Sequence, residues 1–122
     1  MDEQARKAVL LVEDDEDLRE AMAVVLAETG HLVSSCGDAG SALTRASAER
    51  PDLVLVDIDL PDMDGCELAR RLRADPRLSG SRFVAISGFA AERERLRAMA
   101  AGFDDYLIKP IPLQTLHRLL QS

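Results

Sequence analysis

Apolar residues come in short unbroken runs at 8–12, 53–56, 83–86 and 106–108, and none of these runs alternates polar with apolar. A strand with one face in water would alternate, so both faces of these segments are expected to be covered, as in a parallel sheet between helices. A weaker run at 31–36 suits the edge of such a sheet. Between the runs the period lengthens. Leu18, Met22, Val25 and Leu26, with Ala21 in the same stripe, predict an amphipathic helix stopped by Gly30. Ala39, Ala42, Leu43 and Ala46 mark a second helix closed by Pro51, and Cys66, Ala69 and Leu72 a third over 65–74, ended by Asp75-Pro76. A polar loop at 77–81 is expected next. Residues 90–101 read as a loosely docked helix with a thin stripe of Leu96, Met99 and Ala100, stopped by Gly102. Leu113, Leu116 and Leu120 mark a closing helix, with His117 beside the stripe as a surface residue.

Alternating strands and helices predict an α/β protein, a three-layer α/β/α sandwich with right-handed crossovers around a five-stranded parallel sheet. With the weak second strand at an edge, the order 2-1-3-4-5 with five helices fits. The chain of 122 residues is expected to form a single domain over 1–122, large enough for its own core. Apolar residues at 47% and charged residues at 30% place it among soluble globular proteins. No apolar run approaches a membrane span, and residues 1–6 lack the apolar core of a secretory signal, so a cytoplasmic location is expected. Cys36 and Cys66 are then expected to be reduced, acting as small hydrophobes.

The polar residues that matter sit where the apolar runs end. Residues 8–12 run into Glu13-Asp14-Asp15-Glu16-Asp17, and 53–56 into Asp57 with Asp59, Asp62 and Asp64 close behind. Asp15 or Asp17 is positioned to cap the first helix. The carboxyl ends of strands are where open α/β sheets bind ligands. With strands one and three adjacent, Glu13, Asp14 and Asp57 converge, and three carboxylates that close raise one another's pKa unless a cation intervenes. Hard oxygen ligands of this number favour Mg2+ over zinc or iron. Strands four and five bring Ser87 and Lys109 to the same rim. Of 15 basic residues only Lys7 and Lys109 are lysines, and a compact ammonium suits a point contact with a carboxylate or phosphoryl oxygen. The net charge of −7 argues against direct contact with nucleic acid. These residues together describe a magnesium-type phosphoryl-transfer site with an aspartate as nucleophile.

Here the chain resembles a known family along essentially its whole length. Val12-Glu13-Asp14-Asp15, Asp57-x-x-x-Pro61-x-Met63-Asp64-Gly65, Ser87-Gly88 and Tyr106-x-x-Lys109-Pro110 stand in the order and spacing of receiver domains of two-component response regulators. The resemblance implies that Asp57 is the phosphoacceptor, charged by a sensor histidine kinase or a histidine phosphotransfer protein. It implies Mg2+ on Asp14, Asp57 and the backbone carbonyl of Asp59, with Glu13 reaching the metal through water. Ser87 and Lys109 would hold the phosphoryl group. Ser87 and Tyr106 would form the switch, read by a protein partner on the face of helix four, strand five and helix five (α4-β5-α5). A cis Lys109-Pro110 bond is implied as well.

Two other functions remain open on residues alone. Asp57-Ile-Asp59 is similar to the D-x-D motif of haloacid-dehalogenase-type phosphatases, although that family puts its motif on the first strand and uses a larger chain. A degenerate receiver working without phosphorylation is the other, and the intact Asp14, Asp57 and Lys109 argue against it. The chain ends at Ser122, after the closing helix, as expected of a stand-alone receiver or of one domain of a larger regulator. Phe89, two residues past Ser87, is expected to shield the aspartyl phosphate from water, and Asp59 to repel the attacking water.

Overall fold

The computed structural model describes residues 7–121, apart from the side chain of Leu113; residues 1–6, where a secretory signal was sought, and Ser122, from which the chain's end was read, lie outside them. Five strands form one parallel sheet in the order β2-β1-β3-β4-β5, with β1 Ala8–Val12, β2 Leu32–Cys36, β3 Leu53–Asp57, β4 Arg82–Ser87 and β5 Asp105–Ile108. Five helices connect and close it: α1 Glu16–Glu28, α2 Ala39–Glu49, α3 Gly65–Arg73, α4 Glu92–Ala101 and α5 Leu113–Gln121. The expected three-layer α/β/α sandwich is therefore observed.

The unbroken strand runs are split by the pleat into two cores. Leu10, Val12, Val54, Val56, Phe83 and Ala85 face one way, onto the small residues of α2 and the inner faces of α3 and α4. Val9, Leu11, Leu53, Leu55, Val84 and Ile86 face the other, onto Met22 and Leu26 of α1 and Leu116 and Leu120 of α5. Each such branched side chain, removed from water, contributes roughly 1.5–3 kcal/mol, and this two-sided burial is why the sheet needs helices on both faces.

The weakly apolar β2 takes the edge, as its composition required. Helix starts follow the expected chemistry: Asp15, of the two candidates, accepts the Leu18 N–H, and Asp38 accepts that of Ser41. Gly102 ends α4 at φ 118°, a left-handed conformation that favours glycine.

Three details depart from the expectation. Ala21 is exposed rather than part of the α1 stripe. The segment after α3 is not a plain polar loop, because Pro76–Leu78 makes a 3-10 turn that buries Leu78. In α4 the inner face is Ala98 and Ala101, whereas Leu96 and Met99 are 54% and 36% exposed and Ala100 is exposed too. The helix is turned so that its smallest residues meet α3, which lets the two backbones approach and leaves its larger apolar side chains in water.

Candidate functional site

Register alone delivers the acid cluster. β1 and β3 pair with Val12 opposite Val56, so the chain leaves both strands side by side, with Glu13 and Asp14 beside Asp57. One carboxylate oxygen from each of Glu13, Asp14 and Asp57 lies within 4.8 Å of the others. Asp57 is 3% exposed and Glu13 1%, whereas Asp14 is open to solvent.

Lys109 closes the cluster from β5. The Lys109-Pro110 peptide is cis, as expected, and the Lys109 Nζ stands 3.1 Å from Asp57 Oδ2 and 3.2 Å from Glu13 Oε1. The first contact is a hydrogen bond. The second is close enough for charge attraction but off the direction of a hydrogen bond, so Glu13 Oε1 is buried without a hydrogen-bond partner among the described residues. Glu13 Oε2 accepts the N–H of Asp15 at 3.1 Å.

Electrostatics follow from this geometry. Burial, reinforced by the neighbouring Asp57 carboxylate, pushes the Glu13 carboxyl up to about 7. Burial alone would lower the Lys109 ammonium, but hydrogen bonding to Asp57 and the charges of Asp57 and Glu13 outweigh it and hold Lys109 above the usual lysine range. One lysine does not neutralise three acids. The orphaned Glu13 oxygen, the accessible Asp14 and the short mutual distances are a donor set that fits a hard divalent cation.

The loop after β3 is tightly drawn. Asp57 Oδ1 accepts the Asp59 N–H at 2.9 Å, Asp59 bridges to Asp64, and the Gly65 N–H reaches the Ile58 carbonyl at 2.9 Å. A Cβ on Gly65 would stand 2.7 Å from the Ile58 Cα, closer than backbone tolerates, which explains the glycine after Asp64. The side chain of Asp59 itself is exposed.

Ser87 ends β4, buried, and its Oγ accepts the Phe89 N–H at 3.0 Å. Tyr106 Oη donates to the Phe89 carbonyl at 2.8 Å. The Phe89 backbone thus ties Ser87 to Tyr106, while Phe89 as a whole is 60% exposed. Most of the Phe89 surface is therefore in water. All six residues singled out at the strand ends, Glu13, Asp14, Asp57, Asp59, Ser87 and Lys109, stand at the same edge of the sheet.

Three residues of this region escaped the sequence. Arg19 Nη1 donates to the Glu13 carbonyl at 2.9 Å, fixing the turn out of β1. Asp62 accepts the N–H groups of Ala39 and Gly40 at 2.9 and 3.1 Å, capping α2 from the β3–α3 loop. Arg97 of α4 reaches Asp64 Oδ2 at 3.0 Å. Arg19 and Arg97 lie on helices that read as ordinary solvated faces, and Asp62 sits in the acid-rich loop with no local sign that it reaches α2; only the distant partner reveals each role.

The sequence model of the response regulator receiver domain matches residues 9–121. The chain belongs to this family. The receiver is 36% identical over 118 residues to an uncharacterized 14.6 kDa protein of Leptolyngbya boryana, covering 97% of this chain and 90% of that one. It is 38% identical over 105 residues to the DNA-binding response regulator MtrA of Mycolicibacterium smegmatis, covering 86% of this chain but 45% of MtrA. Against the transcriptional activator PfeR of Pseudomonas aeruginosa the identity is 41% over 108 residues, 88% of this chain and 34% of that one. The receiver thus spans less than half the length of these two regulators.

Among solved structures, the chemotaxis response regulator CheY4 of Vibrio cholerae superposes with a TM-score of 0.88 at 25% identity, covering 93% of this chain and 95% of that one. The receiver domain of the sensor histidine kinase PA1611 of Pseudomonas aeruginosa gives 0.87 at 31% identity, covering 94% of each, and holds a magnesium ion coordinated in its active site cleft. Among the described residues of this receiver, no helix is long and apolar enough to cross a membrane.

Proposed function

We propose that the receiver takes a phosphoryl group onto Asp57 from a histidine of a sensor kinase or phosphotransfer protein, and that the charge so placed switches the face of α4, β5 and α5. The observation that carries this reading is a buried aspartate at a strand end, held by Lys109 at 3.1 Å and flanked by Glu13 and Asp14. A carboxylate oxygen of Asp57 forms the new bond to phosphorus, the donor's phosphorus–nitrogen bond breaks, and the histidine nitrogen leaves with the electron pair.

Asp14, Asp57 and the Asp59 carbonyl would hold Mg2+, with Glu13 behind them through water, and the ion would supply charge neutralisation for the acids and the phosphoryl oxygens. Lys109 supplies the remaining positive charge at a position already beside the acceptor. Ser87, freed from the Phe89 N–H, donates its hydroxyl to a phosphoryl oxygen. The added charge of roughly −1.5 to −2 draws Ser87 and Lys109 inward. Tyr106, bonded through Phe89 to the same segment, then turns toward the space Ser87 leaves. The partner reading this change is a protein, since the net charge of −7 opposes direct contact with nucleic acid. Cytoplasmic operation agrees with both cysteines being free and buried.

Incubation with acetyl phosphate and magnesium tests the reading. One stable adduct per chain, absent in Asp57→Asn, is expected by intact mass. Turnover of simple phosphate esters without an adduct would instead support the phosphatase reading of Asp57 and Asp59, and neither result would leave a phosphorylation-independent module.

A further inference from the structure

Asp64 joins two parts of the receiver that the proposed switch must move against each other. Its Oδ1 accepts the Cys66 N–H at 2.7 Å and starts α3, while its Oδ2 accepts from Arg97 of α4 at 3.0 Å. The loop on which Asp64 sits is anchored elsewhere: Asp62 holds it to the first turn of α2, and the bridge to Asp59 closes it on itself. The loop is therefore the fixed partner and α4 the movable one. α4 is lightly held, because its buried residues are only Ala98 and Ala101 and its N-cap, Ala91, makes no side-chain hydrogen bond. Arg73 of α3 holds the carboxyl end of the helix through the Gly102 carbonyl at 2.9 Å, so the Arg97 tether bears chiefly on the part nearer Ser87.

We propose that the Arg97–Asp64 ion pair is a latch that keeps α4 in the arrangement of the unmodified chain and opposes the phosphoryl-driven shift. The proposal rests on the reading of Asp57 as acceptor. When Ser87 turns to a phosphoryl oxygen it releases the Phe89 N–H, and Phe89 carries the Tyr106 hydroxyl with it. That segment runs directly into α4, so the helix moves relative to Asp64 and the pair stretches or breaks. Arg97 is then a positioning residue that does not touch the phosphoryl group. Both partners are partly exposed, at 41% and 47% of their side chains, so the latch is expected to alter the equilibrium by about twofold to fivefold. Its loss favours the shifted arrangement and tightens binding of whatever stabilises that arrangement.

Beryllofluoride, a phosphoryl mimic, titrated calorimetrically in saturating magnesium, provides the test on the wild type, Arg97→Gln, Asp64→Asn, the double variant and Arg97→Lys. Asparagine keeps an oxygen for the Cys66 N–H, so α3 retains its cap. Both single variants are expected to bind about twofold to fivefold tighter, the double variant no tighter than either, and Arg97→Lys close to wild type. The Ser87 and Phe89 amide resonances of Arg97→Gln should shift toward their bound positions before any beryllofluoride is added, a change that simple loss of stability does not produce. Single variants moving in opposite directions would mean that Arg97 and Asp64 act only as charges near an anion, and would overturn the latch. Additive effects, or affinities equal to wild type, would overturn it too. Failure of the wild type itself to bind beryllofluoride would instead sink the acceptor reading, and the latch with it.

Discussion

The acid rim, at the carboxyl ends of β1 and β3, and the outer face of α4, the helix between β4 and β5, are built on opposite principles. At the rim, Glu13 and Asp57 are buried polar groups held by Lys109 and by backbone N–H groups, so each position depends on the others. On α4, Leu96 and Met99 point into solvent, the helix rests on two alanines, and Arg97 provides a polar tether. A tightly bonded site next to a lightly held helix suits the proposed switch, since the chemistry requires fixed geometry and a readout requires an element whose displacement costs little.

Substitutions should therefore be severe at the rim and mild on the face. Asp57→Asn is expected to abolish the acetyl phosphate adduct altogether, as read by intact mass, whereas Leu96→Ser should leave the adduct yield unchanged. In metal-free buffer at pH 8 the same Asp57→Asn change should raise the melting temperature, because Glu13 and Asp14 lose a repelling neighbour. A lower melting temperature would show that the bond from Lys109 outweighs that repulsion.

The pH dependence comes next in size. Glu13 binds its proton more tightly in the folded chain, with a pKa of about 7 against 4.5 for the free side chain. Stability from this group is therefore complete below about pH 4.5 and is lost as the pH rises through about 7. Chelator-treated protein should lose up to about 3 kcal/mol between pH 5 and pH 8 by denaturant titration, with Glu13→Gln flattening that slope. Magnesium at pH 8 should restore part of the loss.

Overpacking tests the α4 docking. Ala98→Leu places a larger side chain where two helices meet closely and should cost about 1–3 kcal/mol by denaturant titration. The smallest effect belongs to the exposed face, where Leu96→Ser or Met99→Ser should change stability by no more than about 0.5 kcal/mol. A larger loss in either would mean that the apolar face of α4 is part of the core after all.

Strands and the residues that leave their carboxyl ends were legible because they rest on local signals that the tertiary structure had no reason to override, whereas the strand order was read in part from the resemblance to receivers. Unbroken apolar runs such as Leu53–Val56 survive only inside a covered sheet. Once β1 and β3 are neighbours, the residues after Val12 and Val56 meet without further information. The rotation of α4 was not legible. Its sequence offers Leu96, Met99 and Ala100 on one face and Ala98 and Ala101 on another, and hydrophobicity alone selects the larger residues. The space beside α3 selected the smaller ones. The Phe89 backbone bonds to Ser87 and Tyr106 were not legible either, since they depend on how β4 and β5 are brought together.

By itself, then, the amino-acid order determined which segments are strands, which carboxylates share the rim and that Lys109 stands among them, because periodicity and strand-end chemistry act within a few residues. Only the tertiary structure decided that Asp62 caps α2, that Arg97 ties α4 to Asp64 and that the large side chains of α4 face the solvent. Those contacts join residues 22 to 33 positions apart, and nothing in a local pattern records which distant partner will be close enough to meet them.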